Sequence, residues 1–172
     1  MYDEYQKLFL GYSSDIFQNI NEICPHIGMG DVYTTEVMAL TYVEIDFALS
    51  KNAEKRKAFH DSVGKLLSET LEDREYQFLG DRIGFYGSIL NGMIKMRLDS
   101  FAEKPKKEDR DSPLMRPVLA FCDVFYNLNA LYDYVNAPSL PKKDLINNKN
   151  ASLLMKFFRE ETKDIYRAAK SL

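Results

Sequence analysis

The chain has 172 residues, 45% of them hydrophobic and 28% charged, and carries a formal net charge of −3. This is the size and balance of one packed domain, so disorder, collagen-like sequence and low complexity are excluded, and no disulfide or metal is needed to hold a core. The charge provides no field that would draw nucleic acid to the whole molecule, so any such binding must be local.

Apolar residues recur at helical spacing almost everywhere, and no run alternates with the period of a half-buried strand. The expectation is an all-α, single-domain bundle of six to eight helices spanning residues 1–172. At the N-terminus, MYDEYQKLFLGYSSD places acids where a signal peptide needs basic residues. No run approaches the roughly 20 apolar residues of a membrane-spanning helix. A soluble, cytoplasmic protein with no membrane partner is therefore expected, and two cysteines far apart, Cys24 and Cys122, suit a reducing compartment.

In chain order, a first helix is predicted from about Tyr2 to Leu10. Ser13-Ser14-Asp15 reads as a cap opening a second helix to Ile23. After the loop CPHIGMGD, a third helix from Val32 to Ser50 is apolar on nearly every side and should be central. A fourth, from Ala53 to Leu79, gathers Phe59, Val63, Leu66, Leu67 and Leu71 on one face. Gly80 then sits where a left-handed C-terminal cap belongs, and Asp81 can cap a helix from Arg82 to Phe101. The charged stretch EKPKKEDRDSP, at about 103–113, reads as a mobile loop. A further helix runs from Pro117 to about Asn136, NAPSLPKKD forms a turn, and Asn150 caps a last helix that ends at Ser171.

Four of the eight glycines fall between Gly80 and Gly92. On a helix over 82–101, Ile83, Phe85, Tyr86, Ile89, Leu90, Met93 and Ile94 share a broad apolar sector. Gly84, Gly87, Ser88, Asn91, Gly92 and Lys95 gather opposite. Each interior glycine costs roughly 1 kcal/mol relative to alanine, so a bare stripe on the polar face needs a reason. Three fit: another helix of the same chain crossing there, a partner surface such as a homodimer contact, or a kink near Gly87. The spacing lacks the strand, lysine and hydroxyl of a phosphate-binding loop.

Several charges fall on apolar faces. Glu44 shares its sector with Tyr33, Val37, Leu40 and Ala48, so it should be buried and either protonated or paired, with Arg56, His60 or Arg74 as the candidate cations. Glu161 lies likewise among Leu154, Phe157, Phe158 and Ile165. An enzyme or small-ligand protein would use Glu44, Arg56 and His60 as a polar site between the third and fourth predicted helices. Arg56-Lys57-Ala58-Phe59-His60 sets an arginine and a histidine on one helix, as the helical HEPN ribonucleases do. Those place more residues between the two, so the chain is not assigned to that family, and a ribonuclease stands only as the enzymatic alternative. Cys24, His26, His60 and Cys122 match no zinc spacing, so no metal or cofactor is expected.

On the last helix Lys156, Arg159, Lys163, Arg167 and Lys170 are three, four, four and three residues apart, which aligns them within about 80° on one face. This is either a solvated face or a site for an anionic partner, protein or RNA. The sequence thus favours a non-catalytic protein–protein interaction or regulatory module of adaptor or inhibitor type. It would use the face of residues 84–95, the basic stripe, or both.

Overall fold

The computed structural model describes residues 1–23, 31–93, 106–126 and 148–172, with side chains at 31–33, 123–126 and 148–151 not described. Among these residues there are seven helices and no strand, an all-α bundle as expected. They are α1 (Glu4–Ile23), α2 (Asp31–Leu49), α3 (Ala53–Thr70), α4 (Asp73–Leu90), α5 (Lys107–Asp111), α6 (Met115–Tyr126) and α7 (Asn148–Ser171).

Helix α2 is the hub, packed against α4, α7, α1, α3 and α6. Val37, Ala39, Leu40, Val43, Ile45, Ala48 and Leu49 are all buried on it, which is why its sequence has no polar side. The core closes around it with Phe9, Ile16 and Ile20 of α1, Phe59 and Val63 of α3, Leu79 and Tyr86 of α4, Val118 and Phe121 of α6, and Phe158 and Ile165 of α7.

The observed helix boundaries correct several expectations. Residues 4–23 form one helix, not two. Ser13, predicted to open a helix, lies on the buried stripe of Phe9, Ile16 and Ile20, and burial of that continuous stripe outweighs the local cap. The real cap is Asp3, whose Oδ1 accepts from the Gln6 N–H at 2.9 Å while Gln6 Oε1 accepts from the Asp3 N–H at 3.3 Å. Conversely, the predicted helix from Ala53 to Leu79 is two. Leu71 is extended (φ −96°, ψ 147°), and Glu72 starts α4 by donating its N–H to Glu75 Oε2 at 3.1 Å.

Gly80 therefore lies inside α4, and Asp81 caps nothing. The left-handed turn comes twelve residues later at Gly92, with φ +71°. The stretch at 103–113 contains α5, whose Asp109 is buried. Helix α6 starts at Met115, before Pro117, which is harmless because an amide in the first turn has no intrahelical acceptor. Asn148 is already helical, so Asn150 is interior to α7. The expected turn NAPSLPKKD and the ends of the helices predicted to reach 101 and 136 fall outside the described residues. Among the described residues no helix is long and apolar enough to cross a membrane.

Candidate functional site

Helix α4 packs Leu79, Tyr86, Ile89 and Leu90 inward against α2 and α6. Its other side is almost bare. Tyr76, Gly80, Gly84, Gly87 and Asn91 follow one another at helical spacing and are exposed or half-buried, with Ser88 beside them. Among the described residues nothing outside the helix stands within 4 Å of where a Cβ would sit at Gly80, Gly84 or Gly87. The helix also runs unbroken to Leu90, so the kink near Gly87, one of the three explanations, is not formed, and Ser88 Oγ donates to the Gly84 carbonyl at 2.9 Å. Gly92 is a different case: it stands in the left-handed turn beyond the helix end, so its glycine is explained by backbone conformation alone. Lys95 lies outside the described residues. Gly80 belongs to the stripe although its sequence context suggested a cap; the missed signal was its spacing of four from Gly84.

The polar residues expected between helices are sorted differently from the expectation. Arg56 and His60 do converge, but on Asp46 of α2, not on Glu44. Arg56 donates from Nε and one terminal nitrogen to the two Asp46 oxygens at 2.6 and 2.8 Å, and His60 Nε2 lies 2.6 Å from Asp46 Oδ1. The Tyr42 ring stacks on His60 with centroids 5.7 Å apart. Burial alone would raise the Asp46 carboxyl, but the hydrogen bonds and charges of Arg56 and His60 outweigh it and hold it below the usual range. Burial first, and then the Asp46 charge, pushes the Tyr42 phenol up to about 12. Both Arg56 and His60 remain nearly half exposed.

A second acid of α2, Glu36, is enclosed by α4. Arg82 Nε lies 2.5 Å from Glu36 Oε1, the Tyr86 hydroxyl donates to Glu36 Oε2, and the guanidinium sits 4.4 Å from the centre of the Phe85 ring. Glu36 and Tyr86 are both fully inside. Sequence reasoning missed this cluster, although Glu36 and Arg82 each stand beside apolar residues of their helices.

The third acid, Glu44, is buried as expected, at 2% exposure, yet the predicted salt bridge is not formed. Among the described residues its Oε1 has no hydrogen-bond partner and no cation pairs with it. Arg74, the third candidate, is exposed. Helix geometry explains the correction: Asp46 is two residues on and points toward α3, whereas Glu44 points toward α7 and is influenced by Glu161. A polar site made of Glu44, Arg56 and His60 together is not assembled.

The basic stripe of α7 is largely spent within the chain. Arg159 makes a two-pronged pair with buried Asp109, at 2.9 and 2.7 Å, and thereby holds α5 down. Arg167 meets Asp164 at 3.4 Å, and Lys170 lies 4.3 Å from the centre of the Tyr166 ring. Lys156 and Lys163 remain exposed. Cys24 and His26 fall outside the described residues, and Cys122 is core. Among the described residues no group of three or more His, Cys, Asp or Glu side chains could hold a metal ion. Compared with known proteins, the chain matches no family model, no curated protein and no solved structure.

Proposed function

We propose that the protein is a non-catalytic protein–protein interaction module whose contact surface is the bare side of α4, from Tyr76 through Gly80, Gly84 and Gly87 to Asn91. One observation carries this reading: among the described residues nothing outside the helix comes within 4 Å of where the side chains of these glycines would begin. A crossing by another described helix does not account for them, and neither does a kink. A stripe without side chains lets a partner backbone approach closely, and exposed Tyr76 at its head supplies an apolar body with a polar tip. The occupant that fits is a helix, either from another protein or from a second copy of this chain.

Less supports a site for RNA or another anion on α7, because three of its five cations already have partners within the chain. Less also supports an enzyme, since Glu44 is separated from Arg56 and His60. The test is Gly87→Leu. Leucine is the better helix former by most of 1 kcal/mol, and the space is open, so the variant should melt no lower than the parent. Its self-association in sizing chromatography, or its capture of a partner from lysate, should disappear. A variant that keeps every association of the parent would remove α4 as the contact surface.

A further inference from the structure

We infer that Glu44 and Glu161 form a proton-operated seam: α7 docks onto α1 and α2 while both carboxyls carry protons, and alkaline conditions loosen it by ionising them. The seam is built from the inside of three helices. Glu44 of α2 is 2% exposed, Glu161 of α7 is 9% exposed and Ser13 of α1 is 8% exposed. One oxygen on each of the three is buried without a hydrogen-bond partner among the described residues. A buried carboxylate with no counter-charge is far more costly than a buried carboxylic acid, so the apolar surroundings favour the protonated form.

Among the described residues no cation pairs with either group. Tyr12 and Asp15 of α1, Asp164 of α7 itself, and Glu44 of α2 are the titratable groups around Glu161, and Glu161 is the one that acts on Glu44. Of the described cations on the helices packed on α2, Lys7 of α1, Arg74 of α4 and Lys156 and Lys163 of α7 are exposed, and others are engaged elsewhere. Arg56 and His60 of α3 are held by Asp46, Arg82 of α4 by Glu36, Arg159 of α7 by Asp109 and Arg167 by Asp164. Arg116 of α6 reaches the Leu90 carbonyl at 3.5 Å. Burial, reinforced by Asp15 and Asp164, moves the Glu161 carboxyl up to about 7, and burial with the Glu161 charge moves Glu44 well above its ordinary value.

The direction of the pH effect follows from proton counting. Both groups ionise near 4.5 in the unfolded chain, so above that pH the folded state holds more protons and stability falls as pH rises. For Glu161 the loss spans 4.5 to about 7, and Glu44, also raised, adds a loss of the same sign. Ionisation would push α7 away from α1 and α2 and uncover Leu154, Met155, Phe158, Ile165 and Ala169, which are buried in the docked helix.

The experiment is a series of thermal melts of the full chain at pH 5, 7 and 9, with amide-exchange protection factors for α7 and α3. The parent should lose roughly 5 °C or more between pH 5 and 9, with protection lost first in α7. Glu161→Gln should flatten the decline up to about pH 7, and Glu44→Gln should also make the decline shallower, each raising the melting temperature at pH 9. A parent with a flat profile would overturn the proposal, as would variants whose slopes match the parent's. Carboxyl carbon resonances of the unmodified chain give a measurement free of folding artefacts: signals for both glutamates titrating below pH 5 would refute it. So would a marked rise in melting temperature on adding calcium or manganese at pH 8, because that would mean the pair binds metal as carboxylates.

Discussion

Beyond its first residue, Asp31, helix α2 carries three acids, and the two sides of the helix treat them in opposite ways. Toward α3 and α4, Asp46 and Glu36 each meet an arginine and a second donor. Toward α7, Glu44 meets another acid. All three residues look alike in the sequence, as a carboxylate among apolar neighbours. The difference teaches that burial does not by itself say how a charge is satisfied: removal of a paired carboxylate strands its partner, whereas an unpaired one such as Glu44 favours its proton and its removal strands nothing.

The same substitution on the two sides should break the comparison most visibly. Glu36→Leu leaves the Arg82 guanidinium and the buried Tyr86 hydroxyl without their acceptor, and should destabilise the fold by about 3–5 kcal/mol. At pH 8, Glu44→Leu removes an orphaned polar group at similar volume, and should be neutral or stabilise by about 1–3 kcal/mol. Urea denaturation at that pH reads both. Changes of the same sign would show that Glu44 has a counter-charge after all.

A middle-sized effect is expected where α7 holds α5. Asp109→Asn reduces a two-pronged ion pair to a neutral contact, and should cost about 1–3 kcal/mol. Because α5 is only five residues long, the loss should be local: trypsin should cleave faster after Lys106, Lys107 and Arg110 while the global transition moves little. Unchanged cleavage would mean that the contacts of α5 with α6 hold it instead.

The smallest effect belongs to Asp46, whose partners are nearly half exposed, so Asp46→Asn should cost about 1 kcal/mol or less. It also sharpens the pH contrast. Asp46 has a lowered folded value, so its contribution is present above its ordinary range and lost as pH falls through the lowered one. The variant should therefore flatten the acid limb of the melting profile below about pH 4, while the Glu44 and Glu161 variants flatten the neutral and alkaline limb. An acid limb identical to the parent's would remove Asp46 from that account.

Much of the bundle was legible in the sequence, and the reason is periodicity. The all-round apolar pattern of residues 32–50 predicts a central helix, and α2 is the element that the most neighbours share. The pairing of charges was not legible. Glu44 and Asp46 differ by two positions, a turn of about 200° on a helix, so which of them meets Arg56 depends on how α2 and α3 are rotated against each other. Local cap signals misled where long-range burial opposed them: Ser13-Ser14-Asp15 stayed helical because Ser13 shares the stripe of Phe9 and Ile16. They were overlooked at Glu72, where Glu75 supplied the cap.

By itself the sequence determined the helical class, the identity of the central helix and the burial of Glu44 and Glu161. Each of these follows from the spacing of apolar residues along one helix, a property the chain carries before it folds. Only the tertiary structure decided that Arg56 and His60 serve Asp46, that Arg82 serves Glu36, that Arg159 is a latch on Asp109 and that no other described helix lies against the α4 glycines. These depend on the rotation and neighbours of packed helices. No single helix contains that information, because an ion pair or an open face exists only once a second helix has, or has not, been laid against the first.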